Sequence, residues 1–152
     1  MSETAVLDAP LKAIGFEIGL VSAEEVNGRL KVTDVCCQPF RVLHGGISAL
    51  IAEALASIGA CVAAGFIRVA GIQLTINHHR SAPVGSEVFA RAVPVSVGRT
   101  IQVWEVHLWK TDTDSDQEKV LIASSKVTCL SNMPVPHDAK DVGETLRKYA
   151  KL

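Results

Sequence analysis

His44, Gly45 and Gly46 stand directly before an apolar run, Ile47 to Ala64, that carries a single charged side chain, Glu53. Two glycines let the backbone turn sharply while another molecule approaches unhindered N–H groups. The start of a helix adds unpaired amides and the positive end of its dipole, so this terminus is built to hold a negative or polarised oxygen. Glu53 follows about two turns in, with Ser57 one turn further along the same face. A lone acid among Ala, Leu and Ile costs several kcal/mol if it is buried without partners. An oxyanion-binding terminus beside a buried acid is the equipment of acyl chemistry, which needs a stabilised oxyanion and a carboxylate nucleophile or base, and no metal or cofactor.

Plainer readings exist for the same residues. Glu53 could be a structural acid held by hydrogen bonds, but the glycine pair at the helix start favours the functional role. His44 could bond to backbone as a loop histidine, and Ser57 serves equally well as a small residue easing helix packing. Cys36 and Cys37 precede the His44 loop, which leaves a thiol nucleophile as a weak alternative.

These side chains need a scaffold. A helix that is apolar all round must be enclosed by other parts of the fold. Residues 10–20 predict a short helical turn running into an irregular extended cover broken by Gly15 and Gly19. Strands are predicted over Gly28–Val35, Val69–His78, Glu87–Val97, Thr100–Lys110 and Val120–Leu130, from their alternation of apolar and polar residues. Ile72, Leu74 and Ile76 should share one face of the second strand, and Trp104, Val106 and Leu108 one face of the fourth. Pro94 predicts a bulge or an edge position near the end of its strand, Gly98-Arg99 a tight connection, Thr111–Glu118 a polar loop tip, and residues 138–149 a short amphipathic helix capped by Asp138. Trp104 and Trp109 read as core and rim packing. Short turns favour antiparallel pairing. Because a flat sheet covers only one side of such a helix, the sheet must curl around it, or a second subunit must close the remainder, and both are expected.

At 152 residues the chain suits one domain, 1–152, with a core that needs no disulfide or metal. Hydrophobic residues make up 48% and charged ones 20%, and the net charge of −1 gives no long-range field for nucleic acid or an anionic membrane. Four cysteines without a Cys-x-x-Cys pair read as free thiols in a reducing compartment. The N-terminus lacks the pattern of a secretory signal. Glu53 near its centre argues against a membrane-spanning role for the apolar run. The final Ala150-Lys151-Leu152 has the small-basic-leucine form of a C-terminal peroxisomal address, so an import receptor and a peroxisomal location are expected.

Gln38-Pro39-Phe40, Leu43-His44-Gly45-Gly46 and Ala52-Glu53 with Ser57 resemble the catalytic segment of hotdog-fold acyl-CoA thioesterases of the 4-hydroxybenzoyl-CoA type. Within that group Cys-Cys-Gln-Pro-Phe, Val-Ala-Gly-Ile-Gln-Leu, Ile-Gln-Val-Trp-Glu-Val and the terminal Ala-Lys-Leu make the chain most similar to the plant 1,4-dihydroxy-2-naphthoyl-CoA thioesterases. The resemblance covers about residues 10–152 and implies an α+β fold, with a curved antiparallel sheet of five to six strands wrapped around one long helix. It implies hydrolysis of an aromatic acyl-CoA, 1,4-dihydroxy-2-naphthoyl-CoA, in phylloquinone synthesis. Glu53 would attack the thioester or activate water. Gly45 would donate its N–H to the oxyanion with help from the Gln38 amide, His44 would orient the thioester, and Ser57 would position Glu53 or its water. His78, Arg80, Gly98 and Arg99 would bind the coenzyme A nucleotide, the arginines as phosphate partners. The resemblance also implies dimers paired into tetramers, with each active site shared by two subunits. The rivals are a broad-specificity acyl-CoA thioesterase, a hotdog dehydratase, whose histidine and acid are spaced differently, and an acyl-CoA-binding module without turnover.

Overall fold

The computed structural model describes residues 2–111 and 119–152; the expected polar loop tip lies, beyond Thr111, outside the described residues. Two short helices, α1 (Glu3–Leu7) and α2 (Ala9–Ala13), lead into strand β1 (Glu17–Val21) and then β2 (Val26–Lys31). The long helix α3 (Gly45–Ala63) follows, then β3 (Ala70–His78), β4 (Glu87–Val97), β5 (Ile101–Thr111), β6 (Lys119–Leu130) and a terminal helix α4 (Val142–Tyr149). The six strands form one antiparallel sheet in the order β1-β2-β4-β5-β6-β3, with β1 and β3 at its edges. The expected α+β arrangement is therefore present, with six strands.

Helix α3 lies across one face of the sheet, against β2 through β6. Its buried side consists of small residues, Ala52, Ala56, Gly59 and Ala60, around the larger Ile51 and Leu55. Burying each of those two large side chains is worth about 1.5–3 kcal/mol. The small residues bring the helix close to the strands. Trp104 on β5 is fully buried, and a β-carbon on Gly59 would lie 2.5 Å from its ring. Val106 and Leu108 share that inner face, as their alternation predicts. Trp109 points the other way and stacks on Phe89 with ring centroids 6.0 Å apart.

The sequence misleads in four places. Residues 17–21 are a full edge strand paired with β2, not an irregular cover, and the residues flanking it, Leu11 and Phe16, are fully buried. The predicted strand 28–35 stops at Lys31, and residues 34–36 form a single 3₁₀ turn in which the Cys36 thiol accepts the Thr33 N–H at 3.2 Å. Ile72 does not share a face with Leu74 and Ile76. Gly71 opposes Cys129 while Gln73 opposes Thr128, so Ile72 is the extra residue of a β-bulge and is 55% exposed. The last helix starts at Val142 after Asp141, not at Asp138. The bulge expected at Pro94 is present, between Pro94 and Ser96.

Both ends of α3 are defined by sequence. His44 is its N-cap, and the glycines occupy the first two helical positions. At the other end Gly65 and Phe66 take left-handed backbone angles, φ 80° and 67°. Gly65 donates to the Val62 carbonyl at 3.0 Å and Phe66 to that of Cys61 at 2.8 Å, a Schellman closure.

Candidate active site

Within one chain the sheet alone does not enclose the helix or bury its acid, which leaves the remainder of the expected cover to a second subunit. The sheet covers one side of α3, and Glu53 is exposed on the other, next to half-buried Ala49, Leu50, Ser57 and Cys61. The reason is geometric: an open sheet shields only one face of a helix, and α1 and α4 only border the rest. That face forms a wall of a cavity of about 950 Å³, which Gly46, Leu50, Glu53, Ser57, Leu74 and Val142 help to line. Glu53 thus faces open space large enough for an acyl group.

The amides at the start of the helix have different fates. Gly46 donates its N–H to His44 Nδ1 at 2.8 Å, so His44 acts here as the cap. The Gly45 N–H has no partner among the described residues, and at the positive end of the helix dipole it is available to an oxygen. Gln38 belongs to the preceding tight loop. Its backbone N–H reaches the Val42 carbonyl at 2.9 Å, and Arg41 adopts a left-handed φ of 62°. The Gln38 Oε1 accepts the Phe40 N–H, so its Nε2 donor is left without an acceptor among the described residues. Gln38, Gly45, Ser48, His78 and Arg80 line a second cavity, of about 360 Å³.

The predicted catalytic set is therefore split. Gln38 and Gly45 open on the smaller cavity, and Glu53 and Ser57 on the larger. Glu53 is eight residue steps along the helix from Gly45, about 12 Å of axial rise. A carbonyl oxygen held within about 3 Å of the Gly45 amide leaves its carbon out of reach of Glu53 in the same chain.

Ser57 makes no hydrogen bond to Glu53 among the described residues. Its hydroxyl instead lies beside the thiol of Cys129, a partner that no local sequence signal could reveal because it arrives from β6. Burial pushes the Cys129 thiol up, the Ser57 hydroxyl pulls it down, and the nearby Glu53 charge adds to the rise. Burial likewise raises Cys61 to about 11. Cys37 is raised too, by burial first and then by Cys36 and Asp34, and Cys36 is buried against Thr33. Neither of the pair has the setting of an activated thiolate.

The nucleotide-binding candidates are split as well. His78 packs on the helix start, its ring 3.1 Å from where a β-carbon of Gly45 would stand, and Arg80 is exposed at the same rim. Gly98 and Arg99 form the tight β4–β5 turn, with Gly98 N–H on the Ile101 carbonyl at 2.9 Å. His78 pairs with Ala123, which pairs with Leu108, seven residues along β5 from Ile101. The two arginines are thus roughly 24 Å apart along the strands and cannot grip one phosphate within one protomer. Ser48, buried in the smaller cavity wall, was not singled out by sequence, because a serine inside a helix start reads as packing.

An α+β domain of this topology, whose central helix begins with an amide that has no partner among the described residues and carries an acid two turns in, has the form of a hotdog-fold thioesterase. Residues 40–116 match the Thioesterase superfamily, and the chain belongs to that family. It is 53% identical to 1,4-dihydroxy-2-naphthoyl-CoA thioesterase 2 of Arabidopsis thaliana over 94% of this chain and 92% of the relative. It is 34% identical to the 1,4-dihydroxy-2-naphthoyl-CoA hydrolase of Listeria monocytogenes over 77% and 90%. Among solved structures, a thioesterase of Haemophilus influenzae superposes with a TM-score of 0.72 at 28% identity, covering 86% of this chain and 87% of that one.

Proposed function

We propose that this protein hydrolyses an aromatic acyl-CoA thioester, 1,4-dihydroxy-2-naphthoyl-CoA, to the free acid and coenzyme A, a step in phylloquinone synthesis. The names of the Arabidopsis and Listeria relatives support the substrate, and a 950 Å³ cavity with a largely apolar wall has room for a two-ring acyl group. The single observation that carries the mechanism is that one cavity is lined by both Gly45 and Gln38, whose N–H and Nε2 donors have no partner among the described residues. Together they receive the thioester oxygen as negative charge develops on it. Glu53 then attacks the carbonyl carbon or activates the water that does, and the coenzyme A sulfur leaves.

Because Gly45 and Glu53 of one chain cannot reach the same carbonyl, the acid is supplied by a second copy. The reading is of a homodimer with two shared sites, assembling further to a homotetramer. The uncovered face of α3 and the adjacent edge strand β3, with Ile72 exposed, support that pairing. The same sharing allows Arg80 of one chain and Arg99 of another to reach different phosphates of one coenzyme A. The terminal Ala150-Lys151-Leu152 serves as the peroxisomal address. Leu152 is 95% exposed, although the Lys151 N–H is bonded to the Val21 carbonyl at 2.8 Å, and a receptor must displace that bond. Loss of Leu152 should send a tagged chain from peroxisomes to the cytosol, and unchanged import would remove the address.

The test of the activity is release of free thiol from purified protein mixed with 1,4-dihydroxy-2-naphthoyl-CoA, benzoyl-CoA and palmitoyl-CoA. Turnover fastest on the naphthoyl ester is expected. Equal turnover on all three would mean a broad-specificity thioesterase, and none on any would mean a binding module.

A further inference from the structure

Glu53 has no hydrogen-bond or ion-pair partner among the described residues, so its carboxylate is located by the space around it. That space is bounded by one position on the edge strand. A β-carbon on Gly71 would lie 2.7 Å from Glu53 Oε1, 3.4 Å from its Cδ and 3.6 Å from its Cγ, with no other group so near. Gly71 has no left-handed φ, so its backbone conformation does not require glycine. What its missing side chain provides is room for the acid. Gly71 also opens the β3 bulge, with Ile72 as the extra residue. Bulges re-aim a strand locally and cluster beside active sites. Across the ladder Gly71 opposes Cys129, whose thiol has the Ser57 hydroxyl and the Glu53 charge for neighbours.

We propose that Gly71 is a positioning residue for Glu53: the absent β-carbon, at the mouth of a bulge, lets the carboxylate lie against β3 at the depth the reaction needs. This rests on the reading of Glu53 as the reacting carboxylate. A methyl group at position 71 reaches well inside ordinary contact distance, and the flexible acid must retreat. A displacement of about 1 Å at a reacting group costs roughly 100-fold in rate.

The test is a double-mutant cycle with Gly71→Ala, Glu53→Asp and the combined variant, assayed on 1,4-dihydroxy-2-naphthoyl-CoA. Gly71→Ala should lower kcat by roughly 10- to 100-fold while KM stays within about threefold. Aspartate is one methylene shorter, so its carboxylate lies about where the Glu53 Cγ and Cδ do, 3.6 and 3.4 Å from the added methyl, in ordinary contact and not in collision. In the Glu53→Asp background, Gly71→Ala should therefore change kcat by less than about twofold. A glycine needed only for the strand or its bulge would cost the same in both backgrounds; that additivity, or wild-type kcat in Gly71→Ala, overturns the proposal. If Gly71→Ala unfolds, thermal unfolding reads the same cycle: a combined variant melting with Glu53→Asp supports the clash, and one as damaged as Gly71→Ala overturns it. Full activity in Glu53→Ala would instead remove the underlying reading.

Discussion

The two ends of α3 are made from similar residues and treated in opposite ways. At the C-terminal end the carbonyls of Ala60, Cys61 and Val62 all have donors. Gly65 and Phe66 close the last carbonyls, and the buried Gln102 gives its amide to the Ala60 carbonyl at 3.0 Å and to Ser131 Oγ at 3.2 Å while accepting the Trp104 indole N–H at 2.9 Å. At the N-terminal end one amide is capped by His44 and its neighbour has no partner among the described residues. The added side-chain and turn bonds mark the anchor, and the amide without a partner among the described residues marks the place of work. Fixing the helix firmly at one end is what allows a donor at the other to be held still without a partner of its own.

The strongest way to break this contrast is to abolish the open amide. Gly45→Pro removes the N–H at a position where proline suits a helix, and His44 already has the extended backbone, φ −65° and ψ 130°, that a following proline requires. We expect kcat to fall by about 100- to 1,000-fold with the chain still folded, its melting temperature lowered only as far as the His78 ring must shift to admit a β-carbon 3.1 Å away. Mixing this variant with Glu53→Ala should restore activity, because a two-fold pair of unlike chains contains one intact shared site. Random pairing gives roughly a quarter of wild-type turnover, and no recovery in verified mixed dimers would refute the sharing.

The anchored end should respond in the reverse sense. Gln102→Ala strands the Trp104 N–H in the core and the Ala60 carbonyl without its side-chain donor. Chemical denaturation should show a loss of about 2 kcal/mol or more, while the kcat of the folded fraction stays within about twofold. A large kcat loss at unchanged stability would erase the distinction between the ends. The smallest effect concerns Cys61, on the open face near the anchored end. With its thiol raised to about 11 by burial, the neutral form dominates at pH 8. Alkylation should be slow there and quicken about tenfold per pH unit towards 11. Labelling at pH 8 as fast as a free thiol would show that face to be wetter than the structure has it.

What the sequence revealed follows from which forces act locally. The later strands and α3 were legible because alternation and an unbroken apolar run report burial directly. β1 was hidden by Gly19, which reads as a breaker. In the fold that glycine admits the Asn27 side chain, whose Oδ1 would stand 2.7 Å from a β-carbon and accepts the Leu20 N–H at 3.0 Å. The candidate residues His44, Gly45 and Glu53 could be found from type and spacing. Their division between two cavities could not, since composition does not tell which side of a helix lacks a cover. Ser57 beside Cys129 depends on pairing between distant segments.

The closeness of α3 to the strands has an outcome for how such a protein can diversify. Where Gly59 meets the Trp104 ring, not even a methyl group can be added, so that layer is frozen. Ala49, Leu50 and Ile58 line the cavity on the other side, where a change of size meets acyl space or the second copy and leaves that layer undisturbed. New acyl preferences should therefore arise by exchanging those few side chains, and inherited stability would pass through such changes almost untouched.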